Sequence, residues 1–246
     1  ISYVLYLIFK TFNVKLLLSI LNTEFIPRIN KALPDGCDQI NPAILSDALD
    51  DLGITNQVMS IGMRPIDEAL MLCGRARTGA YMEVPYIEEG INPYRLEIAL
   101  VDDLRQNDVA VLSCGGSSRI APWGGLLSTA AKARGSAGCV TDGYVRDTIE
   151  IRRLQFPVFA GGVAPLDSKG RGQIMSTDVP VICDGVRVSS GDLVVGNADG
   201  VVIVPQEHEL DVMVKALEKH SGEDNSIKEL RAGKYLRDVF DKYGIL

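Results

Sequence analysis

Histidine is scarce in this chain: only His208 and His220 occur, and both lie in a charged C-terminal stretch. A histidine-ligated metal site and a Ser-His-Asp triad both need an imidazole among the other reacting groups, so the shortage argues against both. The cysteines are scattered and never in C-x-x-C spacing, which favours reduced thiols over a zinc site or a disulfide framework. They are Cys37, Cys73, Cys114, Cys139 and Cys183.

Three further absences narrow the class of function. No basic cluster offsets the net charge of −7, which argues against a nucleic-acid partner. No G-x-G-x-x-G follows a strand, and the loop "SCGGSSR" (113–119) lacks the lysine of a phosphate loop, so no nucleotide site is indicated. Lys10 and Lys15 break the apolar residues 1–22 into runs shorter than the ~20 residues that span a bilayer. We therefore expect a cytoplasmic protein with no membrane partner.

The pattern of apolar residues predicts an α/β fold. A helix is predicted over residues 40–54, and from residue 109 strands alternate with helices as βαβαβ, which implies a parallel sheet. After residue 175, four short β runs separated by Asp-Gly, Ser-Gly-Asp and Ala-Asp-Gly turns predict an antiparallel meander. Two C-terminal helices follow, the second with Asn225 as its N-cap. Residues 1–25 are interpreted as an apolar extension of unknown role and residues 26–246 as one domain.

Two strand-to-helix junctions of the parallel unit carry residues that are suited to ligand binding or catalysis. One contains Gly124 and Gly125, and the other contains Arg146 and Asp147. Parallel strands end at the same edge of a sheet, where open α/β sheets bind their ligands. The 20 residues between Gly125 and Arg146 amount to about one helix out and one strand back. The spacing therefore predicts that the two junctions meet.

Each group at these junctions has a physical use. Glycines that open a helix expose backbone N–H groups to an anion. Arg146 offers a planar fork suited to a carboxylate, and Asp147 is a hard oxygen ligand for Mg²⁺. Glu150, one helical turn further on, is placed to hold a metal-bound water or to move a proton.

An ordinary structural explanation competes with this chemistry. Asp147 and Glu150 have the D-x-x-E spacing of a capping box, which starts many helices that have no catalytic role. Glycine pairs are common in loops, and Asp142-Gly143 is interpreted as a turn. Taken alone, the acidic pair favours capping, although one aspartate oxygen can cap a helix while the other binds a metal.

The stretch "GGLLSTAAKARGSAGCVTDGYVRDTIEIRRLQFPVFAGG" resembles the signature of the regulator-of-ribonuclease-activity A family, which includes the class II 4-hydroxy-4-methyl-2-oxoglutarate (4-carboxy-4-hydroxy-2-oxoadipate) aldolases. The family pattern G-x20-R-D-x2-[E/D] falls on Gly125, Arg146, Asp147 and Glu150. The similarity extends to "SDAL" (46–49), to "SGDLVVGNADGVVIVP" (190–205) and to the C-terminal "YLRDVFDKYG". It therefore covers roughly residues 40–246.

The resemblance implies an α/β/β sandwich and a homotrimer or hexamer with sites at subunit interfaces. It implies that Asp147 binds Mg²⁺ or Mn²⁺ and that Arg146 and the glycine loop hold the pyruvyl part of the substrate. The loop residues so assigned are Gly124, Gly125, Leu126 and Leu127. Several members of the family carry an acidic residue at the position of Gly125, so a metal–water contact available to them is absent here or supplied elsewhere.

The function implied by the resemblance is that of a metal-dependent lyase acting on a pyruvate-derived 2-oxo acid. Arg146 would take the substrate carboxylate, and a metal on Asp147 would stabilise the pyruvate enolate. The same enolate arises in aldol cleavage of 4-hydroxy-4-methyl-2-oxoglutarate and in oxaloacetate decarboxylation. The alternative is a non-catalytic regulator that binds a ribonuclease or another protein, and the fold alone does not decide between the two.

Overall fold

The computed structural model describes residues 32–34, 36–37 and 39–244. The predicted apolar extension over residues 1–25 lies outside the described residues. The helices are α1 (Pro42–Asp50), α2 (Arg95–Asp102), α3 (Gly125–Ala133), α4 (Thr148–Leu154), α5 (Glu209–Arg231) and α6 (Leu236–Tyr243). The strands are β1 (Arg64–Pro65), β2 (Leu72–Glu83), β3 (Asp108–Ser113), β4 (Gly138–Val145), β5 (Val158–Val163), β6 (Gly172–Thr177), β7 (Val181–Cys183), β8 (Val186–Val188), β9 (Leu193–Asn197) and β10 (Gly200–Val204).

The predicted βαβαβ unit is present as β3, α3, β4, α4 and β5, with parallel pairing of β3 to β4 and of β4 to β5. Strand β2 pairs in parallel with β3, on the side of β3 away from β4. The strand order of the main sheet is β1-β5-β4-β3-β2-β9-β10. All six residues of β3 are buried, as expected for a parallel strand covered on both faces. The long β2 pairs with β9 along its first half and with β6 along its second half.

The four antiparallel strands predicted after residue 175 form two hairpins. Strands β7 and β8 make a separate two-stranded sheet, and β9 and β10 extend the main sheet. Asp184 and Gly185 form the turn of the first hairpin with φ of 48° and 84°. Positive φ at both central residues is what a type I′ turn requires, which explains the Asp-Gly pair.

Side chains from the two faces of the sheet enter separate layers. Along β3, Ala110 and Leu112 pack with α2, α3 and α4, whereas Val109 and Val111 pack with the β7–β8 hairpin. A third apolar cluster joins α1 and α5 to β9 and β10. Helices thus cover one face of the sheet and a hairpin covers the other, which confirms the predicted α/β/β sandwich.

The C-terminal helices differ from the prediction at Asn225. This residue lies inside α5 instead of capping a new helix, and its side-chain amide donates to the Ser221 carbonyl at 3.0 Å. Helix α5 continues to Arg231, and Gly233, just beyond its end, takes a φ of 84°. At 23 residues α5 is long but polar. Within the described part of the chain, no helix is both long and apolar enough to cross a membrane.

The interpretation of Asp142-Gly143 as a turn is wrong. The pair belongs to β4, at a point where the register with β5 shifts. The half-buried Asp142 carboxylate accepts hydrogen bonds from the backbone N–H groups of Cys114, Gly116 and Asp184, at 2.5, 3.2 and 3.3 Å. The residue therefore ties β4 to two neighbouring loops, which explains why a turn-forming pair is found within a strand.

The expectation of five reduced cysteines is wrong for one pair. Cys37 and Cys73 form a disulfide with Cα atoms 6.6 Å apart, joining the segment before α1 to β2. The thiols of Cys114, Cys139 and Cys183 are free and buried. Because the paired cysteines are 36 residues apart, their spacing carried no signal that could have identified them.

Candidate active site

The two strand-to-helix junctions meet at the carboxyl edge of the parallel strands, as their spacing predicts. Trp123 pairs with Val145 in an isolated parallel bridge, and the Arg146 N–H donates to the Trp123 carbonyl at 3.1 Å. The Gly125 N–H, at the start of α3, donates to Asp147 Oδ2 at 3.0 Å. The indole N–H of buried Trp123 donates to Ser128 Oγ at 2.8 Å, which fixes the first turn of α3.

Asp147 does not cap its own helix. It occupies the N-cap position of α4 with φ 58° and ψ 36°, in the left-handed region, and its side chain makes no capping hydrogen bond. The carboxylate turns instead toward the N-terminus of α3. Glu150 does not reach back to complete a capping box, since its carboxylate pairs with Arg153 at 3.5 Å. The capping explanation therefore does not account for this acidic pair.

Glycine at position 124 allows a close approach between the two junctions. A Cβ atom there would lie 2.8 Å from Asp147 Oδ2 and 3.1 Å from Arg146 Cγ. Gly124 itself is extended, with φ −165°, so the requirement is for space and not for an unusual backbone conformation. A Cβ at Gly125 would lie 3.3 Å from the Asp147 Cβ, so an acidic side chain at that position would stand directly beside Asp147.

Arg146 is held loosely by its surroundings. Its Nη1 donates to the Leu166 carbonyl at 3.3 Å and lies 3.6 Å from Asp167 Oδ2, while Nε lies 3.7 Å from Asp147 Oδ2. About two fifths of the side chain, 39%, remains exposed. The guanidinium is therefore oriented by its neighbours and still has N–H groups to offer a ligand.

A cleft of about 270 Å³ opens beside Arg146 and Asp147. Its polar and charged lining residues are Tyr94, Glu97, Arg146, Asp147, Asp167 and Ser168. The remaining lining residues are mainly apolar: Ile98, Ala121, Pro122, Trp123, Gly124, Leu126 and Leu127. A second opening, bounded by residues 163–165, shares Arg146 and Asp147. An apolar pocket with a few convergent polar groups is typical of a small-molecule site.

Five of the residues predicted from the sequence line this cleft. They are Gly124, Leu126, Leu127, Arg146 and Asp147. Gly125 contributes its N–H to the Asp147 carboxylate. Glu150 is the exception, because it lies on α4 outside the lining of both openings and pairs with Arg153.

The sequence interpretation missed two acidic residues of the cleft and their hydroxyl partners. The Tyr81 hydroxyl donates to Glu97 Oε2 at 2.6 Å, and Ser168 Oγ donates to the same oxygen at 3.3 Å. The Tyr94 hydroxyl donates to Asp167 Oδ2 at 2.7 Å. Asp167 could have been found, since it follows β5 at the same sheet edge. Glu97, on α2, gives no comparable signal.

The two missed carboxyl groups are electrostatically different. Burial raises the pKa of Glu97, more than the hydrogen bond from Tyr81 lowers it. Burial acts on Asp167 in the same direction, but the hydrogen bond from Tyr94, with neighbouring amides and Arg146, holds its pKa below the usual range. Burial and the Asp167 carboxylate raise the pKa of Tyr94 to about 12. The cleft therefore combines an Asp167 whose pKa is lowered with a Glu97 whose pKa is raised.

The donor set is compatible with a hydrated Mg²⁺ or Mn²⁺ ion. Half of the Asp147 side chain is exposed, and one of its oxygens accepts the Gly125 N–H. Among the described residues, no group of three or more histidine, cysteine, aspartate and glutamate side chains is arranged to hold a metal. Mg²⁺ often takes one or two carboxylates and keeps several waters. Asp147 fits that mode of binding.

The RraA-like family, described as Aldolase/RraA, matches residues 42–203, a range that contains both junctions. The chain belongs to this family. It is 35% identical over 180 residues to a Halalkalibacterium halodurans protein named "Putative 4-hydroxy-4-methyl-2-oxoglutarate aldolase", with 73% of this chain and 80% of that protein covered.

Solved structures of other RraA-like and related proteins share the fold. A Pseudomonas syringae protein superimposes with a TM-score of 0.74 at 30% identity, covering 83% of this chain and 94% of that one. RraAS2 of Streptomyces coelicolor, described as an unusual member of the RNase ES inhibitor RraA family, has a TM-score of 0.70 at 29% identity. That alignment covers 80% of this chain and 98% of RraAS2.

Proposed function

We propose that this RraA-like protein is a metal-dependent lyase that breaks a C–C bond in a pyruvate-derived 2-oxo acid. Two substrates are proposed: a 4-hydroxy-4-methyl-2-oxoglutarate-type aldol and oxaloacetate. The similarity to a protein named as an aldolase of this kind supports the reaction class. The observation that carries the proposal is the position of Asp147, whose carboxylate turns away from its own helix into a cleft shared with Arg146.

The cleft groups match the functional groups of a 2-oxo acid. Such a substrate presents a carboxylate and a keto oxygen on adjacent carbons. Arg146 binds the carboxylate through its planar fork, with N–H groups at the start of α3 as further donors. Asp147 holds a Mg²⁺ or Mn²⁺ ion. When bound, the ion supplies Lewis-acid stabilisation of the negative charge that develops on the keto oxygen.

One arrangement serves both reactions because both leave a pyruvate enolate. The bond from C3 to C4 breaks, its electron pair becomes the C2–C3 double bond, and the electron pair of the keto C=O moves onto the oxygen. Oxaloacetate loses CO₂ in this step, whereas the aldol loses a carbonyl compound after its C4 hydroxyl has given its proton to water. Arg146 keeps the substrate carboxylate in place during this step. Ile98 and Leu127 add apolar side chains to the lining, and apolar surroundings strengthen the electrostatic interactions in a cleft.

We also propose that the protein acts as a homo-oligomer, a trimer or a hexamer. Exposed apolar side chains flank the site on three elements: Leu126 on α3, Ile149 on α4 and Val163 on β5 are 85%, 66% and 61% exposed. Apolar surface of this kind next to a binding cleft is typical of a protein–protein contact. Light scattering should give a multiple of the 26.7 kDa subunit mass, and a fully active monomer would contradict the proposal.

The test is pyruvate release from oxaloacetate and from 4-hydroxy-4-methyl-2-oxoglutarate, measured with EDTA-treated protein before and after addition of Mg²⁺ or Mn²⁺. We expect activity that depends on the added ion. Full activity in EDTA, together with an adduct trapped by borohydride, would show a Schiff-base mechanism instead. A protein that is folded but inactive on both substrates would favour the non-catalytic regulator, and binding to a ribonuclease would then be the next measurement.

A further inference from the structure

Glu97 is a carboxyl group of the cleft that neither metal binding nor carboxylate recognition uses. It lies on α2 among the lining residues of the cleft, and it is half-buried. Both of its hydrogen bonds go to Oε2, from Tyr81 and from Ser168. Its other oxygen, Oε1, has no hydrogen-bond partner among the described residues. A buried carboxyl group with one fixed and one available oxygen is suited to proton transfer.

The remaining cleft groups are less suited to that role. Asp167 is held anionic between Tyr94 and Arg146, and the Tyr94 proton is donated to Asp167. A guanidinium offers N–H donors and no acceptor, so Arg146 is suited to binding an anion and not to proton transfer. Asp147 is the proposed metal ligand. Elimination therefore leaves Glu97 as the carboxyl group able to carry a proton to and from a substrate.

We propose that Glu97 is the proton-transfer group that protonates C3 of the enolate to give pyruvate. The inference rests on the proposed lyase function and names a residue for its final step. After the C3–C4 bond breaks, the Glu97 proton moves to C3 and forms the new C–H bond. The enolate oxygen becomes a keto oxygen again, and the resulting Glu97 carboxylate takes a proton from water. No oxidant or reductant is needed.

The surroundings of Glu97 act on its pKa in both directions, with a net rise. Burial, followed by the charge of Asp167, raises its pKa, whereas the hydrogen bonds from Tyr81 and Ser168 and the charge of Arg146 lower it. These groups face it from β2, from the end of β4 and from the loop after β5. Tyr94, just before α2, and Cys114, just after β3, also lie within reach of its charge. A pKa above the usual carboxyl value brings the group closer to neutral pH, where proton transfer is most effective.

The reverse of the proposed step provides a direct measurement. A Glu97 carboxylate that removes a C3 proton from pyruvate should exchange the methyl protons for deuterium in D₂O, and ¹H NMR follows this without any C–C bond cleavage. With Mn²⁺ or Mg²⁺ present, we expect Glu97→Gln to slow exchange by about 10²- to 10⁴-fold. Its melting temperature and Mn²⁺ affinity should match wild type. Glu89→Gln, at an exposed glutamate outside the cleft, is the matched control.

A second variant tests the role of Glu97 through the pH dependence. Tyr81→Phe removes the hydrogen bond that stabilises the ionised form of Glu97, so the pKa of Glu97 should rise. The rate of exchange increases as Glu97 ionises, so its midpoint should move to higher pH. If Tyr81 had a purely structural role, its replacement would lower the rate of exchange without moving the midpoint. This variant also decides the matter if Glu97→Gln does not fold.

The outcomes separate this inference from the function on which it rests. Wild-type protein that neither releases pyruvate nor exchanges its methyl protons overturns both. If wild type is active, an unchanged exchange rate in Glu97→Gln overturns the role of Glu97 alone. An unshifted midpoint in Tyr81→Phe does the same. Slow exchange in Glu97→Gln together with a raised midpoint in Tyr81→Phe supports the proposal.

Discussion

Two arginine–carboxylate pairs in this protein have the same chemistry and opposite settings. Arg75 and Glu209 form a bidentate pair, with Nη1–Oε2 and Nη2–Oε1 distances of 2.5 and 3.0 Å, and their side chains are 8% and 6% exposed. Arg146 and Asp147 are 3.7 Å apart, and 39% and 50% of their side chains are exposed. In the first pair the two charges satisfy one another, whereas in the second both retain capacity for other partners.

The comparison separates a structural pair from a candidate functional pair without reference to sequence motifs. A bidentate pair enclosed by the protein offers little to a ligand, and its value lies in compensating two buried charges. A loose, half-exposed pair contributes little to stability, because solvent weakens it. Substitutions should therefore affect activity at one pair and stability at the other.

The largest effect on activity is expected for Asp147→Asn. Asparagine keeps the size of the side chain and tolerates the left-handed backbone, so the melting temperature should change little. Loss of the ligand charge should weaken Mn²⁺ binding and lower turnover of oxaloacetate together, by about a thousandfold, the scale on which removal of a single electrostatic stabiliser acts. Asp51→Asn, at an exposed aspartate after α1, is the control. Wild-type Mn²⁺ affinity and turnover in Asp147→Asn would contradict the site.

The opposite pattern is expected for Glu209→Gln. The substitution removes the charge of the carboxylate that forms the bidentate pair with buried Arg75, and breaking a buried pair costs about 3–5 kcal/mol of the free energy of unfolding. For a chain of this size, that corresponds to a fall of roughly 10 °C in melting temperature. The kcat of the protein that remains folded should be unchanged. Glu218→Gln, at an exposed glutamate on the same helix, should leave both quantities unaltered.

Arg146→Lys sharpens the comparison because it preserves the charge and removes the planar fork. A charge-assisted hydrogen bond contributes roughly 1.5–3 kcal/mol, so kcat/KM for oxaloacetate should fall by about ten- to a hundredfold. Mn²⁺ affinity should stay normal, since Asp147 is intact. Arg153→Lys, on the exposed face of α4, controls for the substitution itself. An unaltered kcat/KM in Arg146→Lys would argue against recognition of the substrate carboxylate by this residue.

The smallest effect is expected for Gly124→Ala. The new methyl group would lie 2.8 Å from Asp147 Oδ2, so the carboxylate must shift. We expect a loss of about tenfold or less in Mn²⁺ affinity and turnover, within the range that displacement of a positioned group produces. At Gly62 the nearest atom to a new Cβ, the flexible Ser60 Oγ, is 3.5 Å away, so Gly62→Ala is the matched control. Identical behaviour of the two variants would show that the close approach is unimportant.

The sequence predicted those parts of the fold that depend on neighbouring residues. The alternation of strands and helices after residue 109 and the Asp184-Gly185 turn are local patterns, and both are present. Strand β2 was missed for a physical reason. Its buried Arg75 and Arg77 look like surface residues in the sequence, and two of their carboxylate partners, Glu209 and Asp178, lie more than 100 residues away.

The same distinction applies to the candidate site. Arg146 and Asp147 were found because a short motif and one helix-and-strand interval place them beside Gly124. Glu97 was missed because only tertiary packing brings α2 against this edge. Asn225 shows the converse error. As a good capping residue it was predicted to begin a new helix, but it lies within α5 and its side chain donates to the Ser221 carbonyl.

The left-handed backbone at Asp147 has a consequence for how this protein can diverge. Few residue types adopt a φ of 58° without strain, and these are mainly glycine, asparagine and aspartate. Position 147 is therefore restricted by its backbone before any ligand is considered. A descendant of this chain that lost the proposed metal site and kept the fold should carry Asn or Gly there, and seldom Ala or Val. Asn or Gly at this position would then indicate that the chemistry was lost while the fold was kept.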